Sequence, residues 1–331
     1  MQSTENEANK PFVTAMPHMR AKPGVSTVMR DVLIALSPAV LVAALDFGVM
    51  GIAIIVVSVA SCVYFELMYQ ALLKKRVTIT DLSAIVTGVL LAFCFPPGLP
   101  IWMVVVGAFV AIIVVKQLCG GIGQNFLNPA LAAWAFLILA YPDQMTDFTF
   151  GLPLDAITSP TPLAEVLTAA PTLSDIWGIL WGFGTTRGAI GEVATILIIL
   201  GGIYLMARKV ITWHIPVSFI GSAALLIFVF GGDGLFAGFP HYEIFLGSII
   251  LGAFFMATDY TTSPMTKRGQ IIFGLGCGII TATIRIWGGF PEGVAYAILM
   301  MNLLVPLIDK ITKPRVYGAV KSASKSQANI S

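Results

Sequence analysis

Thr161 stands between Pro160 and Pro162 in the stretch Asp155-Ala-Ile-Thr-Ser-Pro-Thr-Pro-Leu163. The prolines remove backbone donors and force an extended conformation, so the hydroxyl projects from a non-helical strand that another enzyme can grip. That makes it a candidate modification site, although a Thr/Ser/Pro-rich stretch also serves as a plain linker. Asn125 and Asn128 flank Phe126 in a second irregular stretch, GGIGQNFLNPAL from Gly120 to Leu131. Each amide offers a donor and an acceptor to a ligand edge that alternates carbonyl and N–H groups. Equally, Asn128 caps a helix opening at Pro129 and Asn125 satisfies loop backbone. Glu66, Glu192, Asp259 and Asp309 lie within or at the ends of apolar runs, where a carboxylate is costly and a role in guiding cations is the first hypothesis. The competing readings are ion pairs of Asp259 and Asp309 with Lys267, Arg268 or Lys310, and a helix-start cap for Glu192. Arg285 has the chemistry for a bidentate phosphate contact or a pair with Glu292.

The solvent around these residues follows from composition. The chain has 331 residues, 57% of them apolar and 11% charged, and a mean hydropathy of +0.89. A soluble domain carries about one quarter charged residues, so the missing charge points to a bilayer. The formal net charge of +2 is too small to indicate a nucleic-acid partner. Cys62, Cys94, Cys119 and Cys277 stand alone, without metal or redox spacing. The three histidines, His18, His214 and His241, offer no facing pair for a haem. The chain also lacks the GxxxxGK[ST] signature of an ATP-driven pump.

Ten apolar segments must position the chemistry. They run Val32–Leu45, Phe47–Leu73, Leu82–Phe95, Ile101–Leu118 and Asn128–Tyr141, then Gly188–Ala207, Ile211–Gly231, Ile244–Thr258, Ile271–Ile284 and Val294–Ile308. Several fall short of the roughly 20 residues of a simple span, which suggests broken or re-entrant helices. Of the 19 Lys and Arg residues, all but Arg187 and Arg285 fall on one side if the segments alternate across a membrane. Positive residues gather on cytoplasmic loops, so both termini belong inside and the long loop 142–187 outside. Pro96 and Pro264, Gly120 and Gly288, and Gly121 and Gly289 are each 168 residues apart. Equivalent helices are then five segments apart, and an odd number inverts the second half relative to the first. The expected architecture is an all-α integral membrane protein of about ten transmembrane helices in two inverted five-helix repeats. Its parts are a cytoplasmic tail (1–29), a first repeat (30–141), an extracytoplasmic loop (142–187), a second repeat (188–310) and a cytoplasmic tail (311–331).

Over nearly its whole length the chain resembles the family formed by the D subunits of Rnf complexes and the B subunits of the sodium-translocating NADH:quinone reductase. The resemblance rests on GGIGQNFLNPAL (Gly120–Leu131), DAITSPTPL (Asp155–Leu163), ATDYTTSPMTKRGQIIFG (Ala257–Gly274) and IRIWGGFPEGVAYAILMMNLLVPLID (Ile284–Asp309). The short N-terminal tail favours the Rnf branch. The family implies a membrane electron carrier in a bacterial cytoplasmic membrane, part of a ferredoxin:NAD oxidoreductase that translocates Na⁺ or H⁺.

It further implies FMN joined to Thr161 through a phosphodiester by a separate flavin transferase. The family's flavinylation pattern is an Asp, two free positions, Ser or Thr, usually Gly, usually Ala, then the modified Thr. Asp155 and Thr158 match it, whereas Ser159 and Pro160 replace the Gly and Ala, which leaves Thr158 and Ser159 as fallback hydroxyls. The matching asparagines, Asn125 and Asn128, imply a non-covalent riboflavin near the cytoplasmic face. From residue type and place alone, Phe126 is a candidate to stack on its ring, and Arg285, on the outer side, a candidate to hold the FMN phosphate. Glu66 and Asp259 match positions tied to sodium handling, and Asp309 joins them as a candidate for the ion path. The implied partners are the A, B, C, E and G subunits of the Rnf complex and membrane lipid. Electrons would arrive from the outer, FMN-bearing G subunit and leave toward the C subunit, a cytoplasmic flavoprotein. Two rival readings are a quinone-reducing component of the sister complex and a flavin-free channel or secondary transporter.

Overall fold

The computed structural model describes residues 24–75, 77–148, 188–192, 195–231, 236, 238, 240–245, 247–288 and 292–313. Thr158, Ser159, Thr161 and Arg187 lie outside these residues, as do 1–23 and 314–331 of the two tails; the first helix already begins at Val25, inside the expected N-terminal tail. Ten helices carry the described fold. They are α1 (Val25–Asp46), α2 (Gly48–Leu72), α3 (Ser83–Phe93), α4 (Ile101–Gln117) and α5 (Pro129–Ala140). After the loop come α6 (Thr195–Ala207), α7 (His214–Phe230), α8 (Ile249–Leu251, continued by the wide turns Gly252–Met256), α9 (Lys267–Trp287) and α10 (Val294–Thr312). All regular elements among the described residues are helical, as expected.

Each of the ten apolar segments overlaps one of these helices. Four of them, α1, α2, α9 and α10, are long and apolar enough to cross a membrane. At 1.5 Å per residue their 19 to 25 residues reach about 28–37 Å, against a hydrocarbon core of about 30 Å. The others are shorter. Helix α6 begins seven residues after the apolar segment does. Residues 190–192 form a tight turn instead, where Gly191 lies so close to Phe93 that a Cβ would strike its ring. Gly247, at φ +77°, breaks the chain before α8, a conformation that favours glycine.

The helices pack where small residues allow close approach. A Cβ on Gly88 of α3 would lie 2.7 Å from the Val59 Cα of α2, and the Ser58 hydroxyl donates to the Gly88 carbonyl at 2.7 Å. Gly274 and Gly278 of α9 face Ser218 and Ser222 of α7, whose hydroxyls occupy the space a Cβ would need. This one-turn spacing of small residues is the usual device for helices that meet in lipid. Helix α1 contacts α6, and α5 contacts α10. Phe93, Phe95, Phe219 and Phe273 fill the interior. Leu41, Leu45, Val49, Leu72 and Leu139 instead face outward and exposed, as suits a hydrocarbon solvent.

Candidate functional site

The site begins at a helix that changes its winding. Helix α4 is regular over Ile101–Phe109 and then widens into π-helical turns over Val110–Gln117. Such widened turns are rare and concentrate at functional positions. Gly120, Gly121 and Gly123 follow at φ +121°, +98° and +88°, which lets the chain reverse tightly into α5. Pro129 at the first position and Asn128 at the cap start that helix, as expected from the sequence.

The described ends of α1, α3, α4, α5, α6 and α8 surround a cavity of about 440 Å³, within the size range of small-molecule sites. Its walls are largely apolar, with Met29, Val32, Leu90, Leu205, Phe254 and Phe255 among them. Polar groups converge from Ser83, Lys116, Asn125 and Asp259.

Both asparagines line this cavity, and both also hold backbone. The Asn128 Oδ1 accepts from the N–H groups of Ala130 and Leu131, at 3.0 and 3.3 Å, and its Nδ2 donates to the Met256 carbonyl at 3.1 Å. Asn302 of α10 adds to this tie. With its amide oriented to meet its neighbours, it donates to the Thr262 carbonyl and accepts from the Asn128 N–H. The Asn125 Nδ2 donates to the Leu127 carbonyl at 3.1 Å. Phe126 is 55% exposed and stands outside the cavity lining.

Beside the cavity lies a buried polar network that residue types alone did not reveal. Glu66 of α2 is 1% exposed. Its Oε2 meets the Lys116 ammonium at 2.9 Å, while its Oε1 accepts from Gln117 and Gln70 at 2.9 and 3.3 Å. Lys116 also donates to the Ser83 hydroxyl at 2.7 Å, which in turn donates to Asp81 at 2.6 Å. The available signals were a lysine closing an apolar run and a Gln four residues after Glu66. Neither predicts the pairing across 50 positions.

Asp259 sits on the other side of the cavity, in the loop between α8 and α9, and accepts from the hydroxyls of Thr261 and Thr262. Burial pushes its carboxyl above the usual carboxylate range, while those hydroxyls and the nearby Lys116 charge pull it back. Asp309 takes none of the three expected cations and accepts from the Met265 N–H at 3.2 Å. Glu192 accepts from the Ala189 N–H at 3.2 Å, which closes its own turn. Arg285, in the last turn of α9, is 4% exposed and donates to the Glu243 carbonyl at 2.6 Å. The structure thus brings Asn125, Asn128, Asp259 and, through Lys116, Glu66 to one end of the bundle. Arg285 and Glu192 lie at the other end, and Asp309 stands apart from the cavity.

A model of the NQR2, RnfD, RnfE family matches residues 12–318. The chain belongs to that family. Among its relatives, the D subunit of the Na⁺-translocating ferredoxin:NAD⁺ oxidoreductase complex of Acetobacterium woodii is 44% identical, over 98% of this chain and all of the relative. The proton-translocating counterpart from Clostridium ljungdahlii is 42% identical, over 92% of this chain and 96% of its own. The D subunit of the ion-translocating oxidoreductase complex of Aliivibrio salmonicida is 33% identical, over 94% and 99%. Within this family the cavity and its Glu66–Lys116 neighbour form the most developed polar site among the described residues.

Proposed function

We propose that this chain is the D-type membrane subunit of an Rnf-type ferredoxin:NAD oxidoreductase, which passes electrons through flavins while Na⁺ or H⁺ crosses the membrane. Full-length similarity to proteins of that name supports this reading. In it, the ten helices cross the membrane as two inverted repeats, and the cavity opens toward the cytoplasm. Contacts of α1 with α6 and of α5 with α10 suit a pseudo-twofold axis, because those helices are equivalents under the repeat.

The cavity suits a non-covalent riboflavin. Its volume and apolar walls accommodate an isoalloxazine, and the edge groups left for it are the Asn125 Oδ1, the Lys116 ammonium and the hydroxyls near Asp259. Asn128 contributes shape more than hydrogen bonds, since its amide is already engaged. A flavin there supplies one- and two-electron chemistry. The chain's part is to hold it, orient it and screen it from water. In this reading Thr161 would hold FMN at the extracytoplasmic end, where that group would supply electron-carrier chemistry between the G subunit outside and the C subunit inside. Glu66, Asp259 and Asp309 belong to the ion path in this reading.

Ultraviolet illumination of the chain on a denaturing gel tests the covalent flavin. Protein expressed with its flavin transferase gives a fluorescent band that vanishes in Thr161→Ala and survives in Thr158→Ala. A band that survives in Thr161→Ala moves the attachment elsewhere, and no band from native cells refutes it. Acid treatment of native protein releases about one phosphate-free flavin per chain if the cavity holds riboflavin.

A further inference from the structure

Lys116 is the least expected residue at this site, because an ammonium in a mostly apolar bundle is held only where a counter-charge repays its desolvation. Its side chain is 4% exposed and meets Glu66 Oε2 at 2.9 Å. The same residue lines the cavity, whereas Glu66, Gln70 and Gln117 stand behind it. Lys116 therefore forms the partition between the cavity and the Glu66 carboxylate. The titratable groups around it are Glu66 on α2, with Cys62 one turn earlier, Asp81 through Ser83, and Asp259 across the cavity. Its carrier is the widened last stretch of α4, just before three glycines with positive φ.

We infer that Lys116 is the positioning residue that links charge in the cavity to cation occupancy at Glu66. With the cavity uncharged, the ammonium neutralises Glu66 and a free cation has no place there. When the cavity gains one negative charge, Lys116 turns from Glu66 toward it, and one monovalent cation from the cytoplasm takes the vacated place. The electron comes from the neighbouring proteins of the complex and the cation from the aqueous phase, so the total charge around Lys116 is unchanged. Sodium and the proton are both suitable cations. The exchange adds no net buried charge and needs only a rotation of the four-carbon Lys116 side chain, which lines the cavity and whose ammonium meets Glu66. The inference rests on the reading of the cavity as a flavin site.

The test uses the assembled complex containing this chain, with the midpoint potential of the acid-releasable flavin measured against sodium concentration and, separately, against pH. By linkage, a cation taken up on reduction raises the potential as its concentration rises, and a cation bound equally in both states leaves it unchanged. Wild type is expected to show such a slope for one of the two cations. Lys116→Met should keep the flavin and lose the sodium slope, or keep only the pH slope that the flavin's own protonation gives, because Glu66 then binds the cation in either redox state. Lys116→Arg should retain the slope. If Lys116→Met fails to assemble because Glu66 is stranded, Lys116→Arg is compared with the charge-neutral double variant Lys116→Met/Glu66→Gln, which should lose the slope. A slope unchanged in Lys116→Met or in the double variant overturns the inference while leaving the flavin reading intact. Native complex that releases no flavin on acid treatment overturns that reading, and the inference with it.

Discussion

Asp259 and Asn128 each carry a prediction at the level of a single side chain. The Asp259 carboxyl, in its loop outside the helices, is raised by burial. A raised carboxyl favours the protonated folded state, so its contribution to stability is complete below the ordinary value of 3.8 and fades as pH climbs through the raised value. Asp259→Asn removes that fading. Its melting temperature in detergent should vary less with pH between about pH 4 and 7 than that of wild type; an equal slope would show that another group titrates. Asn128 divides its amide between capping α5 and reaching the Met256 carbonyl. Asn128→Asp keeps the cap and loses the reach, whereas Asn128→Ala loses both. Thermal denaturation should therefore rank wild type above Asp above Ala, with the cap itself worth about 1 kcal/mol. An Asp variant no better than Ala would assign the stabilisation to the Met256 bond.

Much of this scale was legible in the sequence. The Asn-Pro pair announced the α5 cap because the missing proline donor and the amide acceptor solve the same terminal problem. The Glu66–Lys116 pair was not legible. Their positions are brought together by packing of α2 on α4, and no local rule links residues that far apart. Ion pairs for Asp259 and Asp309 looked plausible from loop charge, yet the structure satisfies both with nearby hydroxyls and a backbone N–H. Asp259's short local hydroxyls reach it at less entropic cost than long lysine side chains do, and for Asp309 the backbone N–H costs no side-chain ordering on the donor's part.

Among the helices, the seam between α7 and α9 is where a substitution should do most damage. Gly278 leaves room for the Ser222 hydroxyl and the Phe219 carbonyl, and Gly274 does the same for Ser218 and Ile215. Gly278→Leu cannot be absorbed by rotating a neighbour, since backbone stands in the way. It should separate the two helices and reduce detergent-stable protein severely, by several kcal/mol as core overpacking and lost contacts combine. Size-exclusion recovery after heating measures this, and recovery equal to wild type would mean that the helices can part freely. The apolar segments and many of their boundaries were readable because long apolar runs stand out in a bilayer protein. The widened turns of α4 and α8 were not, since the same apolar residues serve regular and π-helical backbone alike.

For the molecule as a whole, the distribution of basic residues predicts an orientation that labelling can check. In a variant lacking Cys119, Thr168→Cys should react with a membrane-impermeant maleimide in intact spheroplasts. Met265→Cys, whose parent side chain is 91% exposed, should react only after lysis. The opposite pattern would invert the topology and place the Thr161 stretch beyond reach of an extracytoplasmic transferase. At this scale the sequence was least legible. Charge bias across the membrane and a distant echo of glycines raise an expected orientation and an expected symmetry, but which helix ends converge on a cavity depends on three-dimensional packing. The lining contributed by Met29 and Val32 of α1 has no signature along the chain.

The contact between α7 and α9 also bears on how the molecule can change shape. Backbone meets hydroxyl there with no bulky group between, so there is nothing to swivel and no gap for an acyl tail to wedge open. The pair behaves as a single plank. Deformation during turnover must be taken up by joints built from long side chains, and a crosslink bridging those two helices should leave the working cycle untouched.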